Sequence, residues 1–187
     1  MKRWDKYFLR IAREVASKAN CSSRKIGTVL VQDNSIVASG MNGVPRSITH
    51  CSDRPLGYFV ELDREVIGKD EENDNAFVNA NIDSPVGGCP RRVLGYPSGK
   101  GLHLCAATHA EANAIITAAR NGISTVGATL YLWCWVACKD CMKEIINAGI
   151  KRIVCLEGEW DYDPYSKKLL EESGIELTVY KEEEINE

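Results

Sequence analysis

The second half of the chain repeats one unit three times. A helical stretch ends at a glycine, and a short apolar, β-branched run follows. Residues 108–121 stop at Gly122 before "ATLYLWC", residues 139–148 stop at Gly149 before "KRIVCL", and residues 163–173 stop near Gly174 before "IELTVY". Glycine closes a helix because it takes the left-handed conformation at no steric cost. Strands alternating with helices predict parallel pairing through right-handed crossovers. The first half begins differently. Residues 4–19 place Trp4, Phe8, Ile11, Ala12, Val15 and Ala19 near a 3.6-residue period, which predicts a helix. "IGTVLVQ", the turn "DNS" and "IVASG" predict an antiparallel hairpin. The expected fold class is α/β, a mixed five-stranded sheet with helices on both faces in three layers.

The chain has 187 residues, enough for one domain with a full core. The whole of 1–187 is therefore expected as a single domain, with an insert at about 44–105. That segment carries Pro45, Pro55, Pro85, Pro90, Pro97 and Gly87-Gly88, and a structureless loop of its length needs something to hold it. The tail "KEEEINE" at 181–187 is expected to fray. No apolar run approaches the ~20 residues of a membrane span, and the N-terminus has no apolar signal core, so a cytoplasmic location is the default. A net charge of −3 disfavours binding to polymeric nucleic acid.

Eight cysteines are the unusual count. In a reducing compartment spaced cysteines and histidines more often bind metal than form disulfides. "THAEANAI" places His109 two residues before Glu111, and "ACKDC" places Cys138 and Cys141 at the start of another helix. A histidine and two thiolates leave a fourth zinc position open for water, the catalytic arrangement, and Glu111 can reach that water without being a ligand. Alone, each fragment has an ordinary reading: a capping histidine, a first-turn acid offsetting the helix dipole, a redox pair. Together and in this order they match a zinc-deaminase signature, H-x-E followed by P-C-x-x-C.

The motifs "CSSRKIGTVLV", "SGMNGVPRS", "HAEANAI" and "ACKDCMKEIINAGIKRIVCL" make the chain resemble the cytidine and deoxycytidylate deaminase superfamily, most of all its deoxycytidylate (dCMP) branch. The resemblance implies the cytidine-deaminase-like fold and hydrolytic deamination of dCMP to dUMP and ammonia. In it, Glu111 passes a proton from zinc-activated water to N3 of the pyrimidine and then helps protonate the departing amine. Alternatives are another cytosine nucleotide or nucleoside, such as dCTP or cytidine, or a zinc-stabilised nucleotide-binding module without turnover. The resemblance implies that Arg24 meets the substrate phosphate and Asn42 the sugar, and Tyr162, which follows the fourth strand, is a candidate to cover the pyrimidine. Each also has a plain reading: a solvated strand end, a turn, a surface aromatic. Arg120 either faces a subunit interface and effector nucleotide or offsets a helix dipole. Cys21, Cys51, Cys89 and Cys105 would close a second, structural zinc site that orders the insert, with His50 or His103 able to replace one thiolate. The resemblance further implies a homo-hexamer and a dCTP effector with Mg2+. Two positions depart from the pattern. Ala137 stands where a proline precedes the first zinc cysteine, which predicts a looser turn, and Met41 stands where a tyrosine is usual.

Overall fold

The computed structural model describes residues 3–67, 82–97, 99–158 and 163–186. The chain forms two compact units, one from Met1–Asn20, Lys25–Gly43 and Thr108–Glu187, the other from Cys21–Arg24 and Val44–Ala107. The segment expected as an insert thus makes up nearly all of the second unit.

The first unit is built on a sheet of strand order β2-β1-β3-β4-β5. Strands β1 (Gly27–Gln32) and β2 (Ser35–Met41) form the expected hairpin. Its turn residues Asp33 and Asn34 have φ of 48° and 58°, the left-handed pair that fits a two-residue hairpin. β1 also pairs antiparallel with β3 (Thr129–Trp133). β3, β4 (Arg152–Leu156) and β5 (Glu176–Tyr180) are mutually parallel.

Alternation along the strands divides the core in two. Val29, Val31, Tyr131 and Val154 meet Phe8, Leu9 and Ala12 of helix α1 (Arg3–Ser17). On the other face Leu30, Leu130, Leu132 and Ile153 meet Ala114 and Ala118 of α4 (Ala110–Arg120), Met142 and Ile145 of α5 (Lys139–Asn147), and Leu170 of α6 (Pro164–Ser173). The result is the expected three-layer α/β/α arrangement. Two glycines let helices lie directly on the sheet. A Cβ on Gly27 would run into the Ala12 carbonyl of α1, and one on Gly40 into the Ala110 carbonyl and Ala114 amide of α4.

A buried charge ties α1 to three strands. Both carboxylate oxygens of Asp5 accept from the Arg152 guanidinium, at 2.8 and 2.7 Å. Each also accepts a phenol hydroxyl at 2.9 Å, from Tyr131 and Tyr180. Burial pushes the Asp5 carboxyl up, but these donors, Arg152 first, outweigh it and hold it below the usual range.

The tail corrects the expectation of fraying. Residues Glu182–Asn186 form a short helix, α7, and Ile185 is fully buried against the α1 side of the sheet. The Ile185 carbonyl accepts from Arg10 Nε at 2.9 Å. One isoleucine among acids reads as a solvated tail, yet burying a single such side chain contributes about 1.5–3 kcal/mol, enough to anchor a turn of chain.

The second unit holds a helix that the punctuated sequence concealed, α2 (Leu56–Ile67), with Leu56 and Phe59 buried. A one-turn helix, α3 (Pro90–Val93), follows Cys89. Asp63 of α2 accepts from Tyr96 at 2.8 Å and lies 2.6 Å from His103 Nε2.

Candidate active site

His109 is the N-cap of α4 and Cys138 the N-cap of α5, both with extended backbone. Neither side chain caps its own helix. α5 follows β3 directly, whereas α4 is preceded by a single bridge in which Thr108 pairs with Gly43 just beyond β2. The two helix starts bring three donor atoms together. His109 Nδ1 lies 3.2 Å from Cys141 Sγ and 3.4 Å from Cys138 Sγ. All three ligand atoms fall within 4.8 Å of one another, the one such cluster among the described residues.

The donor set fits zinc. Tetrahedral Zn–N and Zn–S bonds put neighbouring donors about 3.6 Å apart, so these separations need little adjustment. The charges fit as well. Hydrogen bonding from Cys141, aided by His109, overrides burial and holds the Cys138 thiol down to about 4. The bond to Cys138 holds His109 up at about 9. A metal ligand must be neutral imidazole, so metal binding at neutral pH releases the His109 proton.

Glu111, in the first turn of α4, is 5% exposed. Burial raises its carboxyl to about 6, where it can both take and give a proton near neutrality. Glu144, one turn beyond Cys141, is a charge that sequence reasoning missed. Its side chain is exposed, yet partial desolvation and the Cys138 thiolate raise its carboxyl, and its field reaches His109, Cys141 and Glu111. Its i+3 spacing from Cys141 was the available signal.

The loop carrying the cysteines is pinned rather than loose at Ala137. The Ala137 carbonyl accepts from the buried Ser166 hydroxyl at 2.6 Å. Asp163, the N-cap of α6, accepts from the Lys139 amide at 2.7 Å. These bonds from α6 do the work that a proline would do by restricting φ.

Asn42 is 6% exposed, and its carboxamide oxygen accepts from the Ile26 amide at 2.8 Å. It is a fixed strand-end residue of the first unit, not a plain exposed turn. Met41 is exposed, and its carbonyl accepts from Asn113 Nδ2 at 2.7 Å. Arg120 is exposed in the last turn of α4. Arg24 is an exposed residue of the second unit. Tyr162 lies outside the described residues.

Within the second unit Cys21, Cys51, Cys89 and Cys105 line one cavity of about 20 Å³, with Pro90 and Leu104. Burial, then the charges of Cys89, Cys21 and Cys105, push the Cys51 thiol up. Neither His50 nor His103 lines the cavity. His50 Nδ1 accepts from the Ser52 amide at 3.3 Å, and His103 is engaged with Asp63. Cys155 is a core residue whose thiol burial pushes up to about 12, and Cys134 packs beside it.

Comparison with known proteins agrees with the geometry. The model of the cytidine and deoxycytidylate deaminase zinc-binding region matches residues 2–157. The deoxycytidylate deaminase of Schizosaccharomyces pombe is 31% identical over 178 residues, 95% of this chain and 44% of that protein. The chain thus spans less than half the length of that relative. The deoxycytidylate deaminase of Mycobacterium phage D29 is 31% identical over 156 residues, 81% of this chain and 92% of the phage protein. A dCMP deaminase from cyanophage S-TIM5, solved with dCMP and dUMP, shares the fold at a TM-score of 0.62 and 22% identity, covering 96% of this chain and 99% of that one. With the match running from α1 through β4 and across both halves of the His-Cys-Cys cluster, the chain belongs to the cytidine and deoxycytidylate deaminase zinc-binding family.

Proposed function

We propose that this chain is a zinc-dependent deoxycytidylate deaminase, converting dCMP and water to dUMP and ammonia. The observation that carries the reading is the buried Glu111 beside a three-donor cluster. A purely structural zinc site has four protein ligands and no use for a non-ligand carboxylate. His109, Cys138 and Cys141 would hold the ion. Bound zinc supplies Lewis acidity, lowering the pKa of coordinated water from about 15.7 toward about 7. Glu111 takes one proton of the attacking water and delivers it to N3 of the pyrimidine, then takes the remaining proton from the hydroxyl added at C4 and delivers it to the amine as ammonia leaves. Asn42 would hold the sugar and Arg24 the phosphate, on the resemblance, and Tyr162 would cover the base, on its place in the sequence after β4.

The choice of dCMP is supported by the phage and fungal relatives named for that activity. We read the second unit as a zinc-ordered insert of the deaminase domain, with Cys21, Cys51, Cys89 and Cys105 as ligands. The support is that the four thiols line one cavity, although no three of their Sγ atoms lie within 4.8 Å of one another, so the ion would have to draw them together. Eight free cysteines suit a reducing, cytoplasmic setting. No described helix is long and apolar enough to cross a membrane. The reading extends, on the resemblance alone, to a homo-hexamer and a dCTP effector with Mg2+, for which Arg120 is the candidate contact.

The test is ammonia release from dCMP, CMP, dCTP and cytidine, each with and without added dCTP and Mg2+. Turnover of dCMP is the expected result. Turnover only of unphosphorylated nucleoside overturns the substrate, and none with any of the four overturns the enzyme.

A further inference from the structure

Thr28 of β1 is fully buried, and its hydroxyl is the one buried side-chain polar atom without a hydrogen-bond partner among the described residues. Buried polar groups are paired with protein or ordered water in the great majority of cases. The neighbours along the strand, Val29, Leu30 and Val31, are all apolar, so valine, the isostere of threonine, would fill this position without that cost.

The register shows what the hydroxyl faces. Thr28 and Leu30 point to the face covered by α4 and α5, while Val29 and Val31 point to α1. Directly across from Thr28 on β2 is Gly40, whose missing side chain lets α4 sit against the sheet at Ala110 and Ala114. Directly across on β3 is Leu132. Glu111 lies between Ala110 and Ala114 on the helix. Asn113, about 200° round the helix from Glu111, reaches outward to the Met41 carbonyl on the edge strand. Glu111 therefore leans the opposite way, inward over β1, which agrees with its burial. A buried hydroxyl and a buried carboxyl share one layer with Leu30, Ala114 and Leu132.

We propose that Thr28 is a positioning residue for Glu111. Its hydroxyl bonds through one buried water to the carboxyl oxygen nearest the sheet and so aims the other oxygen toward the His109, Cys138 and Cys141 cluster. The inference rests on the proposed role of Glu111.

The test uses the zinc-loaded full chain with Thr28→Val, which removes only the hydroxyl, and Thr28→Ser, which keeps it. For Thr28→Val the expected result is kcat on dCMP about 10–100-fold lower at unchanged zinc content, with KM within about twofold, and for Thr28→Ser a kcat within about threefold of wild type. Wild-type kcat in Thr28→Val overturns the proposal, as does a loss that Thr28→Ser does not restore. A second measurement does not depend on turnover. Thr28→Val should lower Tm by about 3 °C in the parent chain and by under about 1 °C in a Glu111→Ala background. Equal shifts in both backgrounds, or a gain in Tm in both, overturn the coupling. A parent chain inactive on dCMP would remove the functional reading, and the Tm cycle would still decide whether Thr28 and Glu111 act together.

Discussion

The two units gather cysteines by opposite means. In the first, Cys138 and Cys141 stand at the start of a helix that an extensive apolar core already holds, and His109 stands at the start of a second helix seated on the same sheet face. Both helices that carry the donors pack on the apolar core. In the second, the four cysteines come from four separate stretches of chain: the start of the unit, a 3-10 turn at Cys51–Asp53, the residue before α3, and the residue after a 3-10 turn at Leu102–Leu104. Among the described residues of this unit the buried side chains are Leu56, Phe59, Pro90 and Leu104, little apolar area to hold these stretches. In the first unit the fold makes the site; on the proposed reading of the second, the site makes the fold.

Removing one ligand from the second unit should therefore have the largest structural effect. Structural zinc contributes on the order of 10–16 kcal/mol to folding in small domains. Cys89→Ser should drop the zinc content from two ions per chain to one and expose residues 44–107 to protease, while amide exchange in the β1–β5 sheet stays slow. A parent chain holding one zinc by elemental analysis breaks the comparison outright. Next in size is Glu111→Ala, which should retain both zinc ions and lose about 10²–10⁴-fold in kcat on dCMP. Loss of metal in that variant would make Glu111 part of the scaffold.

The smallest effect sharpens the account of the first unit. Arg152→Met leaves the buried Asp5 carboxylate without its main partner, which should cost about 3–5 kcal/mol by chemical denaturation. The pH dependence of this contact has a definite sign. Asp5 has a folded pKa held below its unfolded value, near 3.8. Its contribution is fully present above about pH 5 and fades as pH falls through the folded pKa. The acid limb of stability should accordingly be shallower in Asp5→Asn than in the parent chain. An identical limb would mean that Asp5 does not titrate against folding.

What the sequence disclosed follows physical lines. The helix-strand rhythm was legible because Gly122, Gly149 and Gly174 each stop a helix with φ of 66–72°. The His109, Cys138 and Cys141 cluster was legible because a metal demands particular donors at particular offsets. Helix α2 was not, because prolines and a polar run surround it and its buried residues Leu56 and Phe59 are too few to mark a period. The seat of Ile185 was not, because it depends on a partner surface some 175 residues away. Thr28 was hidden for the same reason. Inside an apolar strand a threonine looks like any β-branched filler until its neighbours across the sheet are known.

Gly40 deserves a mechanical reading. Where most helices ride on a cushion of side chains whose thickness can be traded among several residues, α4 rests on bare peptide at Ala110 and Ala114. The height of His109 and Glu111 above the sheet is consequently set by backbone dimensions, which sequence drift elsewhere in the core does not alter. The same bearing leaves no play. One methyl group at position 40 would lift the whole start of the helix, and a displacement of about 1 Å is enough to cost a reaction about 10²-fold. The site is thus insulated from substitutions around it and brittle to one at its support.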